Sequence, residues 1–392
     1  MKNTTNLMMM VALFIIPLTG LSIDVYVPSL PSIASFYHSS ANNAQNTISI
    51  YILGLGLSQI ICGNIIDAYG RRKTLLASLI IYICLVLLII TSKSINYVLA
   101  FRFFQGISMG FIAVSARSVF VDLFSGQEYY RKASYMTIAY SIGPIVAPAI
   151  GGFLEHLFGW ESCFYFMFIY ALLGTILVYL YLPETIKHKT PFNLVTICSR
   201  YKNMLQHKEY VLNLISLSML NSSLMVFALV GPFIIQNKLH YSPIFFGQMA
   251  LLCGLSWFIG NFTNRLLIEV GRNHKITIAL IVAVIDLLSM YGLSFFWFNV
   301  YVIVIPICIL LVCTSVIFSN LFVHSPTLFP IFAASASAFM AGFFGLLSSG
   351  ICWVLTTLIS VNTQVPLIFG YASLILIIAI CHYAVLKISR RV

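Results

Sequence analysis

Residues 63–73 read Gly63-Asn64-Ile65-Ile66-Asp67-Ala68-Tyr69-Gly70-Arg71-Arg72-Lys73. One acid and three consecutive cations sit between two long apolar runs, one ending near Ile66 and the next beginning near Thr74. A glycine turn with a carboxylate and a basic triplet, wedged between runs long enough to cross a bilayer, has few structural uses. It reads as a charged latch at one face of a membrane.

The composition around this turn agrees. The 392 residues are 60% hydrophobic and 8% charged, where a soluble protein carries about 25% charged residues. No soluble fold of this length hides so much apolar surface, so lipid must be the solvent for most of the chain. A spanning helix needs roughly 20 apolar residues. Twelve such stretches are predicted, at 7–30, 44–66, 74–91, 98–120, 134–156, 163–182, 210–236, 243–267, 275–296, 300–322, 332–359 and 365–386. They are helical in period or uniformly apolar, whereas barrel strands would be about ten residues long and alternating. The expected class is an all-α membrane protein.

Orientation follows from the basic residues. With the N-terminus inside, Lys93 and Lys238 fall outside and Arg102 and Arg117 fall within the fourth span; all other Lys and Arg of the 21 are cytoplasmic. The net charge of +11 is therefore a topology signal spread over short loops, and no nucleic-acid partner is expected. Lys2 and the run 7–18 resemble a secretory signal, but no small-x-small cleavage site follows and the apolar stretch continues to Leu30. A retained first span is expected. The nine cysteines lie mostly in spans without a C-x-x-C, and the eight histidines show no paired ligand spacing. We expect no disulfide framework, no metal and no cofactor.

The longest polar connection, 184–209, holds Lys187, Lys189, Arg200, Lys202 and Lys208 and divides the spans six and six. The expected domains are 1–186, a cytoplasmic linker 187–208 with a surface helix on the inner leaflet in its middle, and 209–392. The loop after the eighth span, Gly260…Asn264-Arg265…Gly271-Arg272, weakly echoes the one after the second. Two parallel repeats with a site near the midplane between them fit this echo.

Several groups of residues inside or beside the spans point to chemistry. The first span ends Asp24-Val25-Tyr26-Val27-Pro28-Ser29-Leu30-Pro31. An acid within a span is costly and functional by default; desolvation favours its neutral form, and a nearby cation opposes that. The bland alternative is an Asp24 close enough to the surface to be solvated. The candidate cation is Arg102, at comparable depth in the fourth span, sharing a helical face with Gln105, Gly106 and Met109. Its bland alternative is snorkelling to the interface. Gly106 and Gly110 form a close-packing G-x-x-x-G surface.

In the fifth span Gly143, Ala147 and Gly151 make a small-residue stripe and Gly152 follows, while Pro144 and Pro148 remove backbone donors and bend the helix. At the inner end of the fourth span, Arg117 and Asp122 would join Gly63, Asp67, Gly70, Arg71 and Arg72 in a cytoplasmic gate, or else form a plain solvated loop. Asp286 lies about 16 Å along the ninth span from Lys275. It is either a second protonation site or a polar link to a neighbouring helix. Among the span aromatics and amides, Tyr26, Tyr51 and Gln105 are the candidate substrate contacts.

Together these residues resemble the major facilitator superfamily. The loop 63–73 is similar to its G-x-L-x-D-R-x-G-R-[KR] signature at Gly63, Asp67, Gly70, Arg71, Arg72 and Lys73, without the usual Arg after the Asp. Arg102…Gly106 looks like the fourth-span motif associated with proton coupling, and Gly143-Pro144…Gly151-Gly152 like the fifth-span motif of exporting antiporters. Within the superfamily the chain resembles the Bcr/CflA drug-resistance branch. The segment 24–31, Arg117…Asp122-Leu123-Phe124, Gly159-Trp160, Leu182-Pro183-Glu184-Thr185 and Pro232-Phe233…Gln236…Ser242…Phe246-Gly247 carry that likeness. Glu161 stands where the branch usually has Arg, and the branch pattern gives no role for Asp286.

The resemblance implies two six-helix bundles and a proton-coupled multidrug or small-molecule exporter working by alternating access. Asp24 and Arg102 would handle protons; Asp286 stays a proton-coupling candidate on its place in the ninth span alone. The resemblance implies no enzyme activity, a monomer, and a bacterial inner-membrane location with both termini cytoplasmic. The alternative on the same fold is a dedicated exporter of a metabolite or siderophore.

Overall fold

The computed structural model describes residues 2–124, 126–186, 194–267, 269–329, 333–360 and 363–389. Among these the chain is helical throughout. It divides into two compact units, Met1–Leu194 and Val195–Val392.

The first unit holds α1 (Lys2–Ile15), α2 (Leu18–Asp24), α3 (Leu30–Phe36), α4 (Ala41–Tyr69), α5 (Arg71–Ile90), α6 (Ile95–Leu123), α7 (Gly126–Phe158) and α8 (Glu161–Tyr181). The first span is not one helix. It is α1 to α3 in series, broken at Ile16–Pro17 and again by a 3-10 turn over Val27–Ser29. Pro17, Pro28 and Pro31 lie at or beside these breaks, where a proline withholds the backbone donor a continuous helix needs. The other boundaries have local causes. Ser40 and Ser94 accept from Asn43 N and Asn96 N at the starts of α4 and α6. Gly70 separates α4 from α5 with φ 110°, a conformation that favours glycine.

The second unit holds α9 (Leu194–Gln206), which starts at the division, then α10 (Lys208–Pro232), α11 (Pro243–Leu266), α12 (Arg272–Leu293), α13 (Val300–His324), α14 (Ala333–Leu358) and α15 (Val365–Ser389). A π-type turn, Phe233–Lys238, extends α10. Ser242 and Asn299 cap α11 and α13. The linker positions Lys187 and Lys189 lie outside the described residues. The expected linker helix is α9; of its described apolar side chains Met204 is buried, the Tyr201 ring lies 4.4 Å from that of Phe339, and Leu205 is exposed.

Eleven of these helical segments are long and apolar enough to cross a membrane. The expected fifth span falls on α7, not among the eleven, whose 33 residues reach about 50 Å at helical rise. Ile80, Ile81, Leu87 and Leu88 on α5 and Ile281, Ile285 and Leu288 on α12 are exposed. Rows of large apolar side chains left bare on one face mark a surface that lipid covers.

The same packing recurs in each unit. In the first, α4 and α5 pack on α6, α2 on α7, and α5 on α8. In the second, α11 and α12 pack on α13, α10 on α14, and α12 on α15. Counted as spans, second and third on fourth become eighth and ninth on tenth, first on fifth becomes seventh on eleventh, and third on sixth becomes ninth on twelfth. The echo in the loops thus extends to the packing of whole helices.

Candidate functional site

Asp24 is the last residue of α2 and stands at the second break of the first span. It is buried, and no ion pair to it exists among the described residues. Two residues on, the Tyr26 hydroxyl reaches Arg102 Nη2 at 3.0 Å and Thr47 Oγ1 at 3.1 Å.

Arg102 is wholly enclosed. Its guanidinium donates to Thr47 O (3.4 Å), Gln105 Oε1 (2.6 Å), Ser22 O (3.1 Å) and Tyr26 Oη (3.0 Å). Its central carbon lies 4.4 Å from the Tyr26 ring centroid and 4.2 Å from that of Tyr51. A cation between two ring faces gains electrostatically from both. Ser22 is in the last turn of α2, where carbonyls lack helical partners, so Arg102 also serves the broken helix end. Ser22 Oγ in turn meets the Tyr82 hydroxyl of α5 at 2.5 Å.

The expected Asp24–Arg102 ion pair is therefore absent. Carbonyls, an amide and a phenol satisfy the guanidinium, and Tyr26 lies beside it in the chain segment that carries Asp24. Tyr26, Tyr51 and Gln105 are all fully buried in this arrangement, with Arg102 as their common neighbour. The sequence reading missed Ser22, Thr47 and Tyr82. Their only signal was polar type inside apolar runs, which many packing residues share.

Glycines bring the surrounding helices together. A Cβ on Gly106 would collide with the Tyr51 carbonyl of α4, and one on Gly151 with the Val25 carbonyl next to Asp24. Gly143 faces Gly20 of α2, and a Cβ on Gly20 would lie 2.6 Å from Pro144 Cδ. Pro148 and Gly152 are buried on the same helix. The fifth-span motif is thus the surface on which the broken first span rests. Among the described residues Gly63 has nothing within 4 Å of an added Cβ, so close packing there does not require it.

At the end of the first unit nearer the linker, Arg71 pairs with Asp67 and, at 3.2 Å, with Asp122. Glu184 completes the cluster. Its Oε1 accepts from the Arg71 backbone N at 2.9 Å, capping the first turn of α5, and Thr185 Oγ1 donates to Asp122 at 2.7 Å. The turn after α4, the end of α6 and the segment after α8 are tied by this one cluster. Arg117 does not join it: its Nε donates to Ala113 O at 3.3 Å and its guanidinium lies over the Tyr140 ring. Arg72 donates to Tyr179 O at 2.7 Å. Glu184 was quoted in the sequence only as part of a family-like segment; its capping role needs the fold.

Two further acids are buried. Asp286 of α12 is turned into the second unit, and its Oδ2 has no partner among the described residues. Glu155 of α7 was not anticipated. It accepts from Ser32 Oγ at 2.5 Å, and its other oxygen is unpartnered among the described residues.

The profile of the Major Facilitator Superfamily matches residues 12–355. An uncharacterized MFS-type transporter of Bacillus subtilis, YdgK, is 26% identical over 354 residues, 88% of this chain and 87% of its own. The bicyclomycin resistance protein homolog of Haemophilus influenzae is 24% identical over 365 residues, 92% and 91% of the two chains. Multidrug resistance protein D of Escherichia coli is 26% identical over 186 residues, 47% of each. Among solved structures, a D-xylose-proton symporter superposes with a TM-score of 0.78 at 16% identity over 96% of each chain, a likeness of fold alone.

Proposed function

We propose that this chain exports small molecules in exchange for protons; it belongs to the major facilitator superfamily, which makes it a membrane transporter rather than an enzyme. Asp24 carries the proposal: a buried carboxyl at a break in a spanning helix, with no ion pair among the described residues, two residues before the Tyr26 that contacts the caged Arg102. An intramembrane acid with no structural pairing is available to bind and release a proton.

In the proposed cycle Asp24 takes a proton from outside as substrate leaves and gives it up inside as substrate binds. Arg102 is the fixed positive charge against which that proton is exchanged. Tyr26, Tyr51 and Gln105 reach substrate when the cage around Arg102 loosens. Asp286 is a second candidate for proton binding. The cluster of Asp67, Arg71, Asp122 and Glu184 fastens the cytoplasmic end between cycles, and the glycine face of α7 lets the broken first span move against it. Residues 1–186 and 209–392 act as two halves joined by 187–208. The protein works as a monomer in a bacterial inner membrane, both termini cytoplasmic, with no nucleic-acid partner.

The magnitudes suffice. Roughly 2.3 kcal/mol per charge per 100 mV, with about 1.36 kcal/mol per pH unit, drives a several-hundred-fold gradient per proton. The names of the resistance-protein relatives support drugs as the substrate class to try first.

The test uses inverted membrane vesicles with a pH-sensitive dye, adding candidate drugs and chelators to wild type and to Asp24→Asn. Substrate-triggered proton release in wild type, lost in Asp24→Asn, is expected. Release that survives the substitution moves the coupling to Asp286 or elsewhere. A response only to one polar compound replaces the multidrug reading by a dedicated metabolite or siderophore exporter. No proton movement with any transported compound overturns antiport.

A further inference from the structure

The second unit fastens its linker end with different chemistry from the first. In both units a Gly-Arg pair opens the third helix of the repeat: Gly70-Arg71 before α5 and Gly271-Arg272 before α12. In the first unit Arg71 finds its acid, Asp122, next to the last residue of α6. The corresponding helix of the second unit, α13, ends on a base, His324. The acid comes instead from Glu209 in the first turn of α10. Its Oε1 lies 3.6 Å from Arg272 Nη2 and 2.9 Å from His324 Nε2. One carboxylate oxygen therefore holds α10, α12 and α13 together.

The three side chains are largely enclosed, at 16% exposure for Glu209, 27% for Arg272 and 29% for His324. Their contacts are screened less than those of surface ion pairs. Guanidinium and carboxylate keep their charges across neutral pH, whereas an imidazole changes charge there. With a proton, His324 makes a charge-assisted bond to Glu209. Without it, the ion pair is lost and a hydrogen bond from the neutral ring to the carboxylate remains, only in the tautomer that keeps hydrogen on Nε2.

Other titratable groups surround it, among the described residues. From α10 come Glu209, the exposed Lys208 and the capping His207, whose Nδ1 accepts from Tyr210 N and whose ring packs against Phe329. From α12 come Arg272, the exposed His274 and Lys275, the last donating to Asn264 at 3.0 Å; from α15 comes His382, which lines one cavity with Arg272 and meets Thr277 Oγ1 at 3.1 Å. From α11 comes the exposed Arg265. The 3-10 turn Ser325–Leu328 and α14 carry no Asp, Glu, Lys, Arg or His.

We propose that Glu209, Arg272 and His324 form a pH-sensitive latch joining α10, α12 and α13, tight when His324 carries a proton and loose when it does not. The latch stands on this geometry alone. Its consequence for transport rests on the orientation proposed above: this end then faces the cytoplasm, and acidification there stiffens it. An exporter that brings protons in would thereby slow as the interior acidifies.

The experiment is amide hydrogen exchange on the full-length protein in lipid nanodiscs at about pH 6 and about pH 8, corrected for the chemical exchange rate. Wild type is expected to protect 208–214 and 320–328 about fivefold more at the lower pH. His324→Gln and Glu209→Gln should each abolish that difference, and His207→Gln should retain it. Wild type without a difference, His324→Gln keeping it, or His207→Gln losing it overturns the proposal. If His324→Gln does not fold, Glu209→Gln and His207→Gln still decide. Failure of the vesicle assay would overturn antiport and leave these outcomes standing.

Discussion

Arg102 shows what a buried cation demands. Leaving water costs several kcal/mol unless acceptors replace the lost hydration, and here two carbonyls, an amide, a phenol and two ring faces do so. Lysine keeps the charge but not the planar fork that serves several directions at once. Arg102→Lys should therefore express and insert, yet lose transport by at least about tenfold, since two or three charged hydrogen bonds disappear. Vesicle transport rates normalised to protein amount check this; a rate within about twofold of wild type would show the cage to be dispensable. The helical face joining Arg102 to Gln105 was legible, because spacing along one helix fixes azimuth. The supposed pair with Asp24 was not, because equal depth on two helices says nothing about which way each side chain turns. The fold sends the guanidinium to the carbonyls of Ser22 and Thr47 instead.

Among elements, the contact of the first span with α7 is the most sensitive to volume. Gly151 packs its Cα side against the Val25 carbonyl, and neither backbone can retreat without moving Asp24. Gly151→Val should destabilise by about 1–3 kcal/mol, read as a lower unfolding temperature in detergent, with transport lost as well. Gly63→Ala is the contrast. Among the described residues nothing lies within 4 Å of its new methyl, and alanine favours a helix interior by about 0.8–1 kcal/mol, so its unfolding temperature should equal or exceed wild type. A Gly63→Ala protein less stable than Gly151→Val would invert this account. Long spans such as α4 and α6 were legible because twenty apolar residues admit little else. The division of the first span into α1, α2 and α3 was not. Its prolines were visible, but an apolar run shows no difference between a bent helix and a broken one until a neighbour such as α7 supports the break.

In the whole molecule, the repeated packing makes the differences between the units informative. Both fasten their linker ends around an arginine after a glycine, yet only the second includes an imidazole. The first should then hold equally well on either side of neutrality. Asp122→Asn tests this, because it removes the charge that pairs with Arg71 Nε and leaves a single amide oxygen where two carboxylate oxygens stood, with Asp67 and Glu184 in place. The Arg71 and Asp122 side chains are 11% and 15% exposed. Losing one partner of so enclosed a pair costs about 3 kcal/mol. Denaturant unfolding should report a loss of that order, equal at about pH 6 and about pH 8. The cluster holds no imidazole, the side-chain type that ordinarily changes charge between them. A loss that changes with pH would mean that a titrating group outside the cluster governs this end of the first unit. A loss near zero would mean that Glu184 and Asp67 alone hold the turn.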